Sequence, residues 1–196
     1  MKSRIRALET EREREAALPA LAELRIRVFR EWPYLYDGSL DYEANYLAEF
    51  MTEPGSVLVV AEIYGEIVGA ATASPMTGQK DEFKAPFIAR GMDVSRIFYF
   101  GETVLLPEYR GLGIGHAFFD EREAAARKAG AAKTRFCAVI RPEDHPLRPR
   151  GARDLHPFWR ARGYAPVDGL IGNFEWQDIG RSEETSHPMQ FWMRDL

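Results

Sequence analysis

The sequence is poor in the residues that build disulfides and metal sites. It contains one cysteine, Cys137, and four histidines among 196 residues. A single cysteine excludes an internal disulfide and favours a reducing compartment, so we expect a cytoplasmic protein. The histidines are scattered and no Cys-x-x-Cys pair accompanies them, so no metal site is expected. Cys137 lies in an apolar stretch, which is typical of a small buried residue.

Long apolar runs and a strong excess of positive charge are also absent. No stretch is long enough to cross a membrane, and the charged N-terminal residues do not resemble a signal peptide. The formal net charge of -4 argues against nucleic acid or an acidic membrane surface as the main partner. It suits a cationic acceptor better. No repeat or low-complexity segment marks a boundary, so residues 1–196 are predicted to form a single domain.

Hydrophobic periodicity predicts a chain of mixed helices and strands. The order is an edge strand, two helices, a strand hairpin, a long loop, a central strand, a helix, a strand, a short helix and closing strands. The ranges are 4–8, 10–28, 40–51, 56–63 with 67–74, 75–93, 97–106, 114–129, 134–140, 155–162, and then 164–167, 170–178 and 188–194. The strand after the long helix should lie parallel to the central one through a right-handed crossover. The last two strands should pair as an antiparallel hairpin. The predicted fold class is therefore α/β of the α+β kind, with a mixed central sheet flanked by helices.

Several residues predict how the first two helices begin and pack. Thr10 and Glu13 match a capping box, and Ser39 is placed to cap the second helix. Pro19 is expected to kink or restart the first helix, because proline has no N–H to donate. In the second helix, the spacing predicts that the buried face contains Leu40, Leu47 and Met51.

The most informative stretch is the central strand and the glycine-rich turn that follows it. Pro107 ends the strand, and Arg110-Gly-Leu-Gly-Ile-Gly leads into a helix that begins at about Ile114. The first N–H groups of a helix have no partner within it and carry partial positive charge. Glycines let an anion approach the backbone, and Arg110 adds a full charge. Residues 110–116 are therefore predicted to hold a phosphate or pyrophosphate.

The detailed pattern restricts the choice of phosphate ligand. A P-loop needs Lys and then Ser or Thr after its last glycine, but His116 and Ala117 follow Gly115 here. The dinucleotide pattern needs glycine where His116 stands. The pattern Arg-x-x-Gly-x-Gly resembles the acyl-CoA pyrophosphate loop of the GNAT superfamily of N-acetyltransferases. Residues 158–164, Phe-Trp-Arg-Ala-Arg-Gly-Tyr, resemble that family's late Phe-Tyr-x-x-x-Gly-Phe segment, and the predicted element order is similar across nearly the whole chain.

This resemblance implies acetyl-CoA as a co-substrate and a slot between two parallel strands that splay apart. The pyrophosphate would bind the backbone of residues 111–116, and the pantetheine arm would pair with the central strand. The implied cofactor-binding residues are Val104, Leu105, Leu106, Arg110, Gly111, Leu112, Gly113, Ile114, Gly115, His116, Ala138 and Val139. The resemblance also implies a homodimer formed through the late strands.

Acetyl transfer to an amine needs a neutral nucleophile, a donor to the developing oxyanion, and a proton for the thiolate. Glu102 is the lone acid of an apolar strand and is the candidate base or amine-binding carboxylate; burial is expected to raise its pKa. Alternatively, it faces solvent or pairs with an arginine. A backbone N–H near Val104 or Leu105 is the candidate oxyanion donor by resemblance. The family's usual tyrosine acid is Trp159 here, which leaves Tyr164, or Tyr99 on the central strand, as the candidate acid, or solvent as the proton source.

The acceptor is predicted to lie between two loops rich in aromatic residues. These residues either line a substrate pocket or fill the core, and the sequence leaves both open. The candidate substrate residues are Trp32, Tyr34, Tyr36, Phe83, Asp144 and His145, the last two also forming a candidate relay. The leading hypothesis is an N-acetyltransferase acting on a small-molecule amine. The alternatives are an acyl-CoA-binding module without turnover and a protein or peptide N-acetyltransferase.

Overall fold

A computed structural model describes residues 3–196 of the chain, and its frame is one mixed sheet of seven strands in the order β1-β2-β3-β4-β5-β7-β6. Neighbouring strands are antiparallel except for β4 and β5. The strands are β1 (Arg4–Ala7), β2 (Val57–Ile63), β3 (Glu66–Pro75), β4 (Ile97–Leu105), β5 (Lys133–Val139), β6 (Ala165–Gln177) and β7 (Glu184–Asp195). This confirms the predicted mixed sheet, the parallel pair and the closing hairpin.

Five α-helices cover the two faces of the sheet. They are α1 (Glu11–Phe29), α2 (Leu40–Thr52), α3 (Asp81–Ile88), α4 (Ile114–Lys128) and α5 (His156–Ala161). Both predicted caps are present. The Thr10 hydroxyl accepts from the N–H of Glu13, whose side chain accepts from the N–H of Thr10, and Ser39 accepts from the N–H of Tyr42. None of the helices in residues 3–196 is long and apolar enough to span a bilayer.

Alternate residues of each strand pack on opposite faces, as the two-residue period of a strand requires. In β2, Leu58 and Val60 pack beneath α1 and α2, while Val59 and Ala61 pack against α4. Helix α3 covers the first face further along, where Phe87 packs with residues of β4, β6 and β7. The sheet thus separates an α1–α3 side from an α4–α5 side.

The parallel strands β4 and β5 part soon after they meet. Their pairing covers only Ile97 to Tyr99 on β4 and Lys133 to Arg135 on β5. Beyond this point β4 remains paired with β3, and β5 remains paired with β7. The later residues of the two strands face one another across a gap, which confirms the predicted splayed pair.

Three predictions about elements are wrong. The segment 75–93 is not one irregular loop, since it contains α3, whose Phe83 and Phe87 pack on the core. Of the two effects expected of Pro19, a restart of the helix does not occur, because α1 runs unbroken from Glu11 to Phe29 with Pro19 exposed inside it. The ranges 164–167 and 170–178 form one strand, β6, whose register shifts between Pro166 and Ile171.

Candidate active site

The turn after β4 has a backbone that requires glycine at two positions. A short helical turn, Pro107–Tyr109, follows the strand, and α4 begins at Ile114. Gly111 and Gly113 have φ values of 79° and 80°, in the left-handed region that other L-residues seldom adopt. A Cβ at either position would meet nothing within 4 Å, so glycine is required by the backbone conformation and not by crowding. The space around the backbone of the turn is open.

The N–H groups of this turn are free to bind an anion. Across the part of the chain that the structure describes, those of residues 111–115 donate to no backbone or side-chain acceptor, and Gly113 caps α4 without a side-chain hydrogen bond. Five adjacent donors at the positive end of a helix dipole form a cradle for phosphate oxygens. The residues present therefore fit the pyrophosphate of a CoA.

The side chains of the turn are placed around this cradle, with one difference from the expectation. Arg110 is half-exposed, donates to the Leu105 carbonyl, and forms an ion pair of 2.9 Å with Glu31. Leu112 is exposed, and the His116 ring meets Phe158 edge-on at 4.8 Å. The predicted phosphate ligand Arg110 thus has a carboxylate partner that a phosphate would have to replace.

The backbone of β4 decides which donor faces the gap. The N–H of Leu106 donates to the Val68 carbonyl, and Leu105 is opposite Gly69 on β3. Hydrogen bonding alternates along an antiparallel strand, so the N–H of Leu105 points away from β3 and into the gap. Of the predicted backbone partners, Leu105 therefore presents its N–H to the slot, while its carbonyl accepts from Arg110, and the N–H of Leu106 is used within the sheet. Val104 points its side chain into the core, and Ala138 and Val139 line the β5 side half-buried.

Glu102 lies on β4 beyond the parting point and takes part in a buried charge cluster. Its Oε1 is 2.5 Å from Nη1 of Arg25, and its Oε2 accepts from the Tyr46 hydroxyl at 3.4 Å. The Nε of Arg25 donates to Glu43, whose other oxygen has no hydrogen-bond partner in residues 3–196. Side-chain exposure is 9%, 0% and 9% for Arg25, Glu43 and Glu102. Two carboxylates share one guanidinium, so the cluster has an excess of one negative charge.

Phenols surround this cluster. Burial, followed by the charge of Cys137, raises the pKa of Tyr34 and of Tyr99. The Glu102 carboxylate, followed by burial, raises the pKa of Tyr46. The Tyr99 hydroxyl lies 3.0 Å from the Cys137 sulfur, at the floor of the gap. Burial raises the pKa of Cys137 to about 12, so this thiol is not a nucleophile at neutral pH.

Part of this cluster has a signal in the sequence that the helix prediction missed. The buried positions of α2 are Glu43, Leu47 and Phe50. Of the predicted face, Leu47 is buried and Met51 packs half-buried on the core, whereas Leu40 is 54% exposed. Glu43 occupies the buried face at helical spacing, where an acid needs a partner. Arg25 has the same property on α1. A buried acid and a buried base on adjacent helices were the available indication.

Tyr164 does not reach the gap. It is 2% exposed among Phe100, Phe119 and Phe136, on the α4–α5 side. Its hydroxyl contacts Thr134 at 2.8 Å and donates to Glu123 at 3.2 Å. Trp159 packs in the same cluster, against Phe136 and Trp192. This geometry favours a packing role for Tyr164 rather than proton donation to a thiolate.

The predicted acceptor residues form two groups. Phe83 lies against Tyr99 and Phe174, with ring centroids 5.2 and 4.5 Å apart, and so extends the face that carries Glu102. Tyr36 lies near Glu43: burial, followed by that carboxylate, raises the pKa of its phenol.

The second group lies where the two loops meet. The Trp32 and His145 rings are 5.3 Å apart. Asp144 is exposed, and His145 Nδ1 accepts from the N–H of Leu147 rather than facing a carboxylate. No hydrogen bond joins Asp144 to His145 within residues 3–196, so the relay between them stays a prediction. Within residues 3–196 no group of three or more His, Cys, Asp or Glu side chains is arranged to hold a metal ion.

An arginine that the sequence analysis did not select fixes the aromatic loop in place. Arg141 donates to both carboxylate oxygens of Asp178 at 2.9 and 2.7 Å, and to the carbonyls of Pro33 and Tyr34 at 2.9 and 2.7 Å. Asp178 follows β6, so one side chain ties the start of the loop after β5 to the 32–37 segment and to the sheet edge.

Comparisons with known proteins agree with this architecture. Residues 18–149 match the sequence model of the Acetyltransferase (GNAT) family. No curated protein sequence matches the chain. Among solved structures, ribosomal-protein-alanine N-acetyltransferase from Brucella melitensis is 18% identical with a TM-score of 0.64, over 98% of this chain and 99% of that one.

Two further structures were determined with CoA species. An aminoglycoside 6'-N-acetyltransferase complexed with coenzyme A is 16% identical with a TM-score of 0.62, over 97% of this chain and 96% of that one. A Salmonella typhimurium protein with its cofactor acetyl-CoA is 13% identical with a TM-score of 0.62, over 99% and 94%. At these identities the likeness shows a shared fold.

Proposed function

Because this chain belongs to the GNAT acetyltransferase family, we propose that it transfers the acetyl group of acetyl-CoA to the amine of a small molecule. One juxtaposition carries the proposal: a buried cluster with excess negative charge lies on β4 beside a gap whose entrance is a phosphate cradle. Glu102 belongs to the cluster, and residues 111–115 form the cradle. A cation at the cluster would balance its charge, and an amine acceptor supplies one.

The co-substrate fits the order of groups along β4. The pyrophosphate is assigned to the free N–H groups of residues 111–115, with Arg110 beside them. The pantetheine arm is assigned to the gap, between Leu105 on one side and Ala138 and Val139 on the other. The N–H of Leu105 then faces the thioester and can donate to the oxyanion that develops during attack.

Glu102 and solvent account for the proton movements. Glu102 accepts one proton from the bound ammonium, directly or through one water, and frees the nitrogen lone pair. The nitrogen forms a bond to the thioester carbonyl carbon, and the carbon–sulfur bond then breaks. The nitrogen loses its second proton to water, and the departing thiolate takes one proton from water, so no dedicated acid is needed for a thiol with an ordinary pKa near 8.5. This agrees with the enclosed position of Tyr164.

A small acceptor suits the walls of the site. Phe83 on α3 and Tyr34 on the aromatic loop cover the face that carries Glu102, and Arg141 holds that loop against β6. An extended peptide would need an open groove beside β4. The half-buried aromatic walls instead favour a compact amine with apolar atoms, oriented by Glu102.

A module that binds acyl-CoA without turnover is the second candidate. It is favoured by the loss of the late tyrosine to Trp159 and by the enclosure of the Tyr164 hydroxyl between Thr134 and Glu123. Turnover by the parent protein on any amine would eliminate this candidate.

Calorimetric titration with acetyl-CoA tests the cradle, with two matched glycine variants. Gly113 and Gly130 both have positive φ, at 80° and 75°, and a Cβ added at either position would meet nothing within 4 Å. Replacing either by Ala costs about 1 kcal/mol of backbone strain. We expect only Gly113→Ala to weaken acetyl-CoA binding, by tenfold or more. A screen of small amines and peptides for acetyl transfer then tests the acceptor class, and activity on peptides alone would contradict it.

A further inference from the structure

A second cavity lies at the opposite end of β4 and β5 from the phosphate cradle. It has a volume of about 210 Å³ and is lined by three cationic residues, Arg96, Lys133 and Arg135, together with Met92, Met193 and Asp93. Arg96 directly precedes β4, whereas the cradle follows the other end of that strand. At about 3.3 Å per residue, the nine residues of β4 separate the two sites by about 30 Å.

Arg135 is the unusual member of this lining. It is 1% exposed and forms no ion pair with any carboxylate in residues 3–196. Its Nε has no hydrogen-bond partner there, and its Nη1 donates only to the sulfur of Met92 at 3.2 Å. The guanidinium stacks over Phe87 at 4.3 Å. Buried charges are normally paired, because desolvation strongly disfavours a lone ion.

The other charged groups around the cavity do not neutralise Arg135. The Asp93 carboxylate accepts from the N–H and hydroxyl of Ser95, at 2.9 and 2.6 Å. Lys133 pairs with Asp195 at the surface, and Arg96 is exposed. Burial lowers the pKa of Arg135 to about 10 although the charge of Asp195 opposes it, and this leaves Arg135 charged at neutral pH. Three cationic side chains and the carboxylates of Asp93 and Asp195 surround the cavity, so one positive charge is left uncompensated.

We propose that this cavity is a binding site for a small organic carboxylate, separate from the acetyl-transfer site. The planar guanidinium of Arg135 matches a carboxylate, which can accept two parallel N–H bonds. The methionines Met92 and Met193 offer an adaptable apolar wall for a short carbon chain. A bound carboxylate supplies the missing partner of Arg135, and Arg96 and Lys133 at the rim attract it.

Calorimetry with butyrate and its uncharged isostere butyramide tests this site, in buffer free of other carboxylates and with acetyl-CoA present at saturation. Butyrate is expected to bind, and butyramide at least tenfold more weakly. Arg135→Met keeps the volume of the side chain and should weaken butyrate binding at least tenfold while leaving the affinity for acetyl-CoA unchanged. Arg12→Met makes the same chemical change at an exposed position of α1 and should change neither.

The outcomes separate this site from the acetyl-transfer site. If the parent protein does not bind acetyl-CoA, the proposed function is contradicted, while the result with butyrate remains valid. Equal binding of butyrate to the parent and to Arg135→Met, no binding at all, or equal binding of inorganic phosphate would overturn the carboxylate site. If Arg135→Met does not fold, Arg96→Met and Lys133→Met, which alter the rim, should each weaken butyrate binding severalfold, and an unchanged affinity in both overturns the proposal.

Discussion

Nη1 of Arg25 lies 2.5 Å from Oε1 of Glu102, and this contact joins helix α1 to the strand that borders the slot. Arg25 also donates to Glu43 on α2, and its guanidinium lies 4.4 Å from the Tyr46 ring. One guanidinium therefore fixes the orientation of Glu102. The second carboxylate oxygen of Glu102 accepts from the Tyr46 hydroxyl and is the one proposed to face the amine substrate. Pairing of Glu102 with an arginine, which the sequence left open as an alternative, is present in the structure.

Glu102→Gln should lower kcat by on the order of 10²-fold or more, because a carboxamide cannot accept a proton from the amine. The Kd for acetyl-CoA should not change, since Glu102 does not contact the phosphate cradle. Glu66→Gln, at an exposed position of the β2–β3 turn, is the matched control for the removal of one negative charge. Steady-state kinetics and calorimetry measure the two constants. A kcat within threefold of the parent value would rule out Glu102 as the base.

Arg110 and Glu31 form a half-exposed ion pair that competes with the phosphate. Arg110→Ala should raise the Kd for acetyl-CoA about tenfold, since a charge-assisted hydrogen bond contributes about 1.5–3 kcal/mol. Glu31→Gln should lower it about two- to fivefold, because an exposed pair contributes about 0.2–1 kcal/mol. Arg27→Ala breaks a similar pair, with Glu108 at 2.9 Å, and should have little effect. If Arg110→Ala and Glu31→Gln weaken acetyl-CoA binding equally, Glu31 does not compete with the phosphate, and the intact ion pair is required for binding.

Arg141→Met should release the aromatic loop from β6. The change removes donors to Asp178, Pro33 and Tyr34, so the loop that covers the acceptor loses its attachment. We expect the KM for the amine to rise about tenfold, with little change in the Kd for acetyl-CoA, because none of the three hydrogen-bond partners of Arg141 belongs to the cradle. Arg148→Met, on the same loop as Arg141 but exposed, is the control. A change confined to acetyl-CoA binding would show that the loop serves the co-substrate instead.

Much of the fold was predictable because its strongest signals are local. The glycine-rich turn, the capping box at Thr10 and the apolar run of β2 depend on a few adjacent residues. Helix α3 was not predictable in the same way, since it is only eight residues long and contains Pro86. Its formation depends on the packing of Phe83 and Phe87 against the core, which no local pattern shows.

The charge cluster was harder to predict because its members are far apart in the chain. Arg25, Glu43 and Glu102 meet only when α1 and α2 pack on the same face of the sheet. No spacing rule relates such positions in one sequence. The sequence did identify Glu102, because a single acid in an apolar strand is visible within a few adjacent residues. The residues that pair with this acid come from distant parts of the chain, and only the packing of the helices determines which they are.

His187 should make the stability of the β6–β7 end depend on pH. It stacks on Trp176 at 3.9 Å, and its Nε2 lies 3.5 Å from Asp178, the partner of Arg141. Burial lowers the pKa of His187, and the charge of Arg141 acts in the same direction, while Asp178 opposes them. The unfolded chain then binds a proton at a higher pH than the folded chain does, so the free energy of unfolding falls as the pH drops below the ordinary histidine pKa of about 6.5.

His187→Phe keeps the stacked ring but removes the titrating group, so its stability should change less between pH 7.5 and pH 5 than that of the parent. Urea denaturation at several pH values measures both curves, and the difference between them should stay below about 1.4 kcal/mol for each unit by which the pKa is lowered. The Asp178 carboxyl does not contribute in this range. Its pKa is lowered because the hydrogen bonds and charge of Arg141 outweigh burial, so its effect appears only below about pH 4. Parallel curves for parent and variant would show that proton uptake elsewhere governs this end of the sheet.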